Sequence, residues 1–178
     1  MRRFSREIST SDSGQPNLDC SGLRISNAAR FFFLLRKADS PLDFDLDLAK
    51  KQSTDNPVFY VQYAHARIAS VLRQAAEAGI ELHPDPDLAR VGDAEIEPLR
   101  VLVTFPDVVE AAARDLEPHR IVFYALDLAA AFHRYYNQHR ILTDDPATTQ
   151  TRLALVQCVQ RVLRAALGIA GVQAPERM

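Results

Sequence analysis

Asp55-Asn56-Pro57-Val58-Phe59-Tyr60-Val61-Gln62-Tyr63-Ala64-His65-Ala66-Arg67-Ile68 (residues 55–68) decides the fold. Asn56 offers a side-chain acceptor to the unpaired N–H groups of a first helical turn. Pro57 follows at the position where a missing N–H does no harm. Val58, Val61, Ala64, Ile68, Val71, Leu72 and Ala75 then recur at helical spacing and form one apolar stripe. Gly79 supplies the residue that most easily adopts the left-handed conformation ending such a helix. The spacing predicts one long helix, buried on one side.

The same signals extend toward the C-terminus. Ile80 to Gly92 reads as a linker, with Pro84 and Pro86. Two shorter helices follow and separate near Phe105-Pro106, because a proline inside a helix removes a hydrogen bond. Pro118 starts another long helix reaching roughly Arg140, with Ile121, Ala125, Leu128, Phe132 and Tyr135 on one face. Asp145-Pro146 repeats the cap-plus-proline start. The last helix carries Leu153, Val156, Leu163 and Leu167 and is expected to stop near Gly168.

Toward the N-terminus the pattern weakens. Ser26 is a possible N-cap for a short helix running through Phe31 to Arg36, and Ser40-Pro41 marks a turn. Phe44, Leu46 and Leu48 alternate with Asp43, Asp45 and Asp47, a period suited to a strand. The continuation Ala49-Lys50-Lys51-Gln52 favours a helix, with the aspartates at its positive end. Ser9 to Asn17 is polar and follows neither period. The expected organisation is therefore a disordered or atypical segment over residues 1–26, then a helical domain over residues 27–178. The fold class is all-α, a helical bundle.

Composition narrows the function. The 178 residues carry a formal net charge of -2 and 47% apolar residues. That length suffices for one domain with a substantial core. No global positive field draws the chain to nucleic acid, so any RNA contact must be local, and DNA is not an expected partner. Cys20 and Cys158 stand alone, in no metal-ligand spacing, which suits a reducing compartment. Apolar runs such as Phe31 to Leu35 are too short to cross a bilayer. A cytoplasmic location away from membranes is the expectation. None of His65, His83, His119, His133 and His139 belongs to a ligand set, and no metal is expected. There is no glycine-rich phosphate loop and no nucleophile elbow. The acidic series at Asp43, Asp45 and Asp47 lacks the glycine and closing glutamate of a calcium loop.

Two clusters remain as candidates. At 100° per residue, Tyr60, Tyr63, Arg67, Ser70 and Gln74 fall on one side of the long helix, away from the centre of its apolar stripe. Rings, a guanidinium and an amide together make a platform for unpaired bases, by stacking, phosphate pairing and edge reading. The same residues also suit tyrosines packed on a neighbouring helix beside a solvated arginine. His65, at the edge of the stripe, reads as a hydrogen-bonded core histidine. The second cluster, Phe132-His133-Arg134-Tyr135-Tyr136-Asn137-Gln138-His139-Arg140, is aromatic and basic at a helix C-terminus. Cations there complement the helix dipole. The alternative is a second wall of an RNA site, with Tyr136 stacking and Arg140 on phosphate.

Asn27-Ala28-Ala29-Arg30 resembles the Asp-Ala-Leu-Arg tetrapeptide of the DALR anticodon-binding domain, departing at its first and third positions. Phe31 to Lys37, Asp39 to Ala49, Gln52-Ser53 and, most specifically, Asn56 to Arg67 continue the arginyl-tRNA synthetase pattern. Phe132-His133 with Tyr135-Tyr136-Asn137 matches a later family helix, and Gly171-Val172 with Ala174-Pro175-Glu176-Arg177-Met178 resembles the family ending. The likeness spans about residues 28–178. It implies a helical bundle that grips the anticodon stem and loop of arginine tRNA. It carries over Tyr60 or Tyr63, Arg67, Tyr136, Asn137 and Arg140 as anticodon-loop contacts, with Met178 through its side chain or terminal carboxylate.

In that family a nucleotide-binding catalytic fold precedes the bundle, using ATP and magnesium, with a His-Ile-Gly-His-like motif and a lysine-containing loop. Neither motif occurs in this sequence, and residues 1–26 do not resemble the lysine loop. The expectation is a chain that lacks aminoacylation activity alone, holds no cofactor itself, and derives from a truncated or frame-shifted gene with an internal start. The rivals are a subunit completed by a separate catalytic chain, and an inert helical remnant or protein-interaction module.

Overall fold

The computed structural model describes residues 20–37, 45–86 and 90–178. Seven helices make up the fold among these residues, with no strand. They are α1 (Cys20–Leu34), α2 (Leu46–Lys50), α3 (Pro57–Glu77), α4 (Asp93–Val103), α5 (Phe105–Arg114), α6 (His119–Gln138) and α7 (Pro146–Ile169). Helices α3, α6 and α7 pack on one another at the centre. Helix α4 covers α6 and α7, α5 lies on α6, and α1 with α2 closes the α3 side. The expected all-helical architecture is the one observed.

The local reasons match the sequence signals. The side-chain Oδ1 of Asn56 caps α3 by accepting from the Val58 N–H, and Pro57 stands in the first turn. Asp145 caps α7 through the N–H groups of Ala147 and Thr148. Asp45 does the same for α2, accepting from Asp47 and Leu48, so the alternating segment is helical from Leu46 onward. Thr104 separates α4 from α5, and Pro106 falls in the first turn of α5. Gly79 adopts φ +71, and the Ile80 N–H reaches back to the Ala75 carbonyl. That geometry closes a helix with its carbonyls satisfied.

One boundary differs from expectation. Helix α1 begins at Cys20, ahead of Ser26, which lies inside it. A serine caps only where the chain before it leaves the helix, and no proline lies between Cys20 and Ser26 to force that exit. Helix α7 ends at Ile169, next to Gly168 as expected, and the left-handed residue is Gly171, φ +67. A Cβ there would also meet the Arg30 guanidinium at 2.8 Å, so glycine serves both the turn and the close approach. The loop expected at residues 9–17 and the turn at Ser40-Pro41 lie outside the described residues.

Burial follows the stripes. Val58, Val61, Ala64, Ile68, Val71 and Ala75 of α3 are buried, as are Ile121, Ala125, Leu128, Phe132 and Tyr135 of α6 and Leu153, Val156, Leu163 and Leu167 of α7. Each fully buried Val, Ile, Leu or Phe side chain contributes about 1.5–3 kcal/mol, so the three central helices dominate stability.

Asn56 is a polar residue tied into this frame. It is buried, and its amide nitrogen also donates to the carbonyls of Ala49 at 3.1 Å and Lys51 at 2.9 Å. One side chain thus caps α3 and fastens the exit of α2. Asn56→Ala is expected to lower the free energy of urea unfolding by about 2 kcal/mol, since a cap and two carbonyl contacts, one of them buried, go together. A loss below about 0.5 kcal/mol would show that the cap is dispensable.

Candidate functional site

The α3–α6 seam brings the two sequence clusters together. Tyr60 and Tyr63 project from α3 and enclose His133 of α6, whose ring centre lies 4.7 Å from Tyr60 and 5.7 Å from Tyr63. The His133 Nε2 lies 3.4 Å from the Tyr60 carbonyl. Burial lowers the His133 pKa, the Tyr60 carbonyl opposes that, and the nearby Arg67 charge lowers it further. The ring is therefore neutral at neutral pH. Tyr63 also stacks on Phe59, nearly parallel, at 6.1 Å.

Arg67 occupies the outer edge of this seam. Its Nη1 donates to the Tyr63 hydroxyl at 2.9 Å. Its Cζ lies 4.4 Å from the centre of the Tyr136 ring and 5.4 Å from that of Tyr63. The guanidinium is thus held by an oxygen and a π-face, an attraction of about 1 kcal/mol for a half-exposed pair. Phe132 supports Tyr136 from within, at 5.6 Å. Tyr60, Tyr63, Arg67 and Tyr136 are all half-buried.

Beyond Tyr136 the surface opens into a groove of about 580 Å³, lined by Gln74, Tyr136, Asn137 and Arg140, with Val71, Ile141 and Leu142 at its apolar floor. Asn137 and Arg140 are exposed. Helix α6 ends at Gln138 with His139 as its C-cap, so Arg140 stands on the loop that follows. Rings, a fixed guanidinium, an amide and an exposed arginine thus adjoin one apolar-floored groove. The arrangement suits a flat, anionic ligand: planes to stack on, donors for phosphate, amides for polar edges. Among the described residues no three His, Cys, Asp or Glu side chains gather as metal ligands. No described helix is long and apolar enough to cross a membrane.

The DALR anticodon binding domain model matches residues 61–178, which hold most of these side chains. The chain belongs to the DALR anticodon-binding domain family. The arginine–tRNA ligase of Desulforamulus reducens is 53% identical over 85% of this chain, and that of Symbiobacterium thermophilum 52% over the same share. Each match takes in 28% of the relative, so the chain spans little more than a quarter of the length of these relatives. The solved arginyl-tRNA synthetase of Thermus thermophilus superposes with a TM-score of 0.76 at 34% identity, covering 87% of this chain and 27% of that one. A Campylobacter jejuni structure titled a putative arginyl-tRNA synthetase gives 0.75 at 29% identity, covering 86% of this chain and 33% of that one.

Within this DALR domain, six of the seven residues singled out from sequence border one continuous surface: Tyr60, Tyr63, Arg67, Tyr136, Asn137 and Arg140. Their tyrosines do pack on a neighbouring helix, but Arg67 is fixed rather than merely solvated. Met178 lies elsewhere. It is 56% exposed, at the end of a tail that crosses another side of α3. Gln62 donates to the Gln173 carbonyl at 2.8 Å, and Arg73 to that of Glu176 at 3.3 Å. Sequence reasoning passed over His133 as a wedge, although its spacing of three from Tyr136 places both on one face of α6.

His65 is the buried anchor of that tail and confirms its reading as a hydrogen-bonded core histidine. Its Nδ1 lies 2.7 Å from the Pro175 carbonyl, which can only accept, so Nδ1 carries the proton. Nε2 then accepts from the Arg164 Nε at 3.4 Å. Burial lowers the His65 pKa. The Pro175 contact raises it, Arg164 lowers it, Glu176 raises it, and the net direction is down. The folded ring stays neutral where the unfolded chain already takes up a proton. Stability is therefore full above an unfolded pKa of about 6.5 and declines as pH falls from there through the folded value. Thermal unfolding followed between about pH 7 and about pH 5 should show this loss, and His65→Gln should make it shallower, leaving the share of His133, whose pKa is lowered in the same direction. An unchanged slope in the variant would assign the loss to other groups.

Proposed function

We propose that this chain is the anticodon-binding part of an arginine–tRNA ligase. It binds the anticodon stem and loop of arginine tRNA and performs no bond-making step. One observation carries the reading: the Arg67 guanidinium, clamped between the Tyr63 hydroxyl and the ring of Tyr136, which itself lines the Gln74–Asn137–Arg140 groove. An unpaired base entering the groove meets planar groups already in place, so little ordering opposes binding. Arg140 meets phosphate, and Asn137 and Gln74 offer amide edges to a base. Met178, at the end of the tail held by Arg73, is a further contact. ATP and magnesium belong to the catalytic fold of this family, and arginine activation is assigned to it.

That fold would pack on the α1 side. Of the run Phe31 to Leu35, Phe31 is buried in the core, whereas Phe33 is 59% exposed and offers apolar surface to a neighbouring domain or chain. A catalytic part supplied by a separate polypeptide fits the same surface.

Titration of labelled arginine tRNA against a noncognate tRNA tests the main reading. Cognate binding should be tighter and should weaken steeply with salt. Tyr63→Ala and Tyr136→Ala should each weaken it by about tenfold, as loss of a stacking platform does. Equal affinity for both tRNAs, or none at low salt, would leave an inert helical module. Lost stability with unchanged affinity would return the tyrosines to packing.

A further inference from the structure

Glu95 of α4 is only 4% exposed, yet it is a carboxylate. One oxygen accepts from the Tyr135 hydroxyl at 2.8 Å and from the Arg152 Nε at 3.1 Å, and the other from the Gly92 N–H at 2.9 Å. Arg152 does not end there. Its Nη1 donates to the backbone carbonyl of Arg140 at 2.6 Å. A single guanidinium thus joins a buried anion between α4, α6 and α7 to the loop that lines the groove.

We infer that Arg152 is a positioning residue for the RNA-binding groove, fixing the Arg140 segment against the buried Glu95 so that the Arg140 side chain faces the ligand. The inference rests on the RNA-binding reading above. Arg140 lies past the C-cap of α6, so no helical hydrogen bond sets its backbone. Hydrogen bonds hold the loop to α7 at two places: at Arg140, through the Arg152 contact, and at Thr143, whose N–H donates to the Thr149 hydroxyl at 2.9 Å while that hydroxyl donates to the Thr143 carbonyl at 3.1 Å. Only the first acts at Arg140 itself. Arginine suits the task because its planar fork presents two donors at a fixed angle, one for the carboxylate and one for the carbonyl. Lysine offers a single point of charge and cannot hold both groups in this geometry. A purely structural alternative is that the pair only fastens α4 to α7.

The two roles separate in a binding cycle with arginine tRNA, measured at several salt concentrations. Arg140→Ala should weaken binding about tenfold and reduce the salt slope by about one, as loss of one phosphate contact does. The double variant E95Q/R152M removes both charges together, so no carboxylate is left buried and unpaired. It should weaken binding by about three- to tenfold, with the same reduction in slope. Arg152→Lys should do likewise while keeping a cation beside Glu95. Added to Arg140→Ala, either change should cost less than about a further twofold, because both act through one contact. Unchanged affinity in folded E95Q/R152M and R152K, or losses that multiply fully with R140A, would overturn the inference and leave the RNA reading standing. Failure of the unsubstituted chain to bind would overturn both.

Discussion

Burial of the α3 stripe against α6 and α7 is the constraint on which the rest depends. Val61, Ala64 and Ile68 cannot leave the core without exposing surface worth several kcal/mol between them. Once they point inward, helical geometry puts Tyr60, Tyr63 and Arg67 at the rim of the seam. The same holds for α6, where burial of Leu128, Phe132 and Tyr135 carries His133 and Tyr136 to the facing rim. The ring-and-guanidinium surface is thus a by-product of core packing, and its own contacts, near 1 kcal/mol each, refine rather than create it.

Polar contacts do a different job. They hold the segments that helices cannot. Asn56 ties the end of α2 to the start of α3, Gln62, His65 and Arg73 secure the C-terminal tail, and Arg152 reaches the loop after α6. Several of these anchors are buried, where an unpaired partner is costly, and each therefore acts as a strict positional restraint.

Much of the frame was legible because its signals are local. Asn56-Pro57, Asp145-Pro146 and Gly79 each act within one helical turn, and the apolar stripes need only a period. Ser26 misled because a cap depends on what the chain does before it. The end of α7 near Gly168 was legible, but not that Gly171 would be the residue to turn left-handed. The site was legible by face but not by register. Nothing in either helix says that Arg67 should meet Tyr136, since that depends on how far α6 slides along α3. The Arg152–Arg140 tie and the tail contacts were hidden for the same reason.

Chemical probing of arginine tRNA bound to this chain tests the central claim most directly. The account predicts protection confined to the anticodon stem and loop, lost when Arg67 is replaced by alanine in a chain that remains folded. Protection centred on the acceptor end, or a footprint indifferent to Arg67, would contradict it.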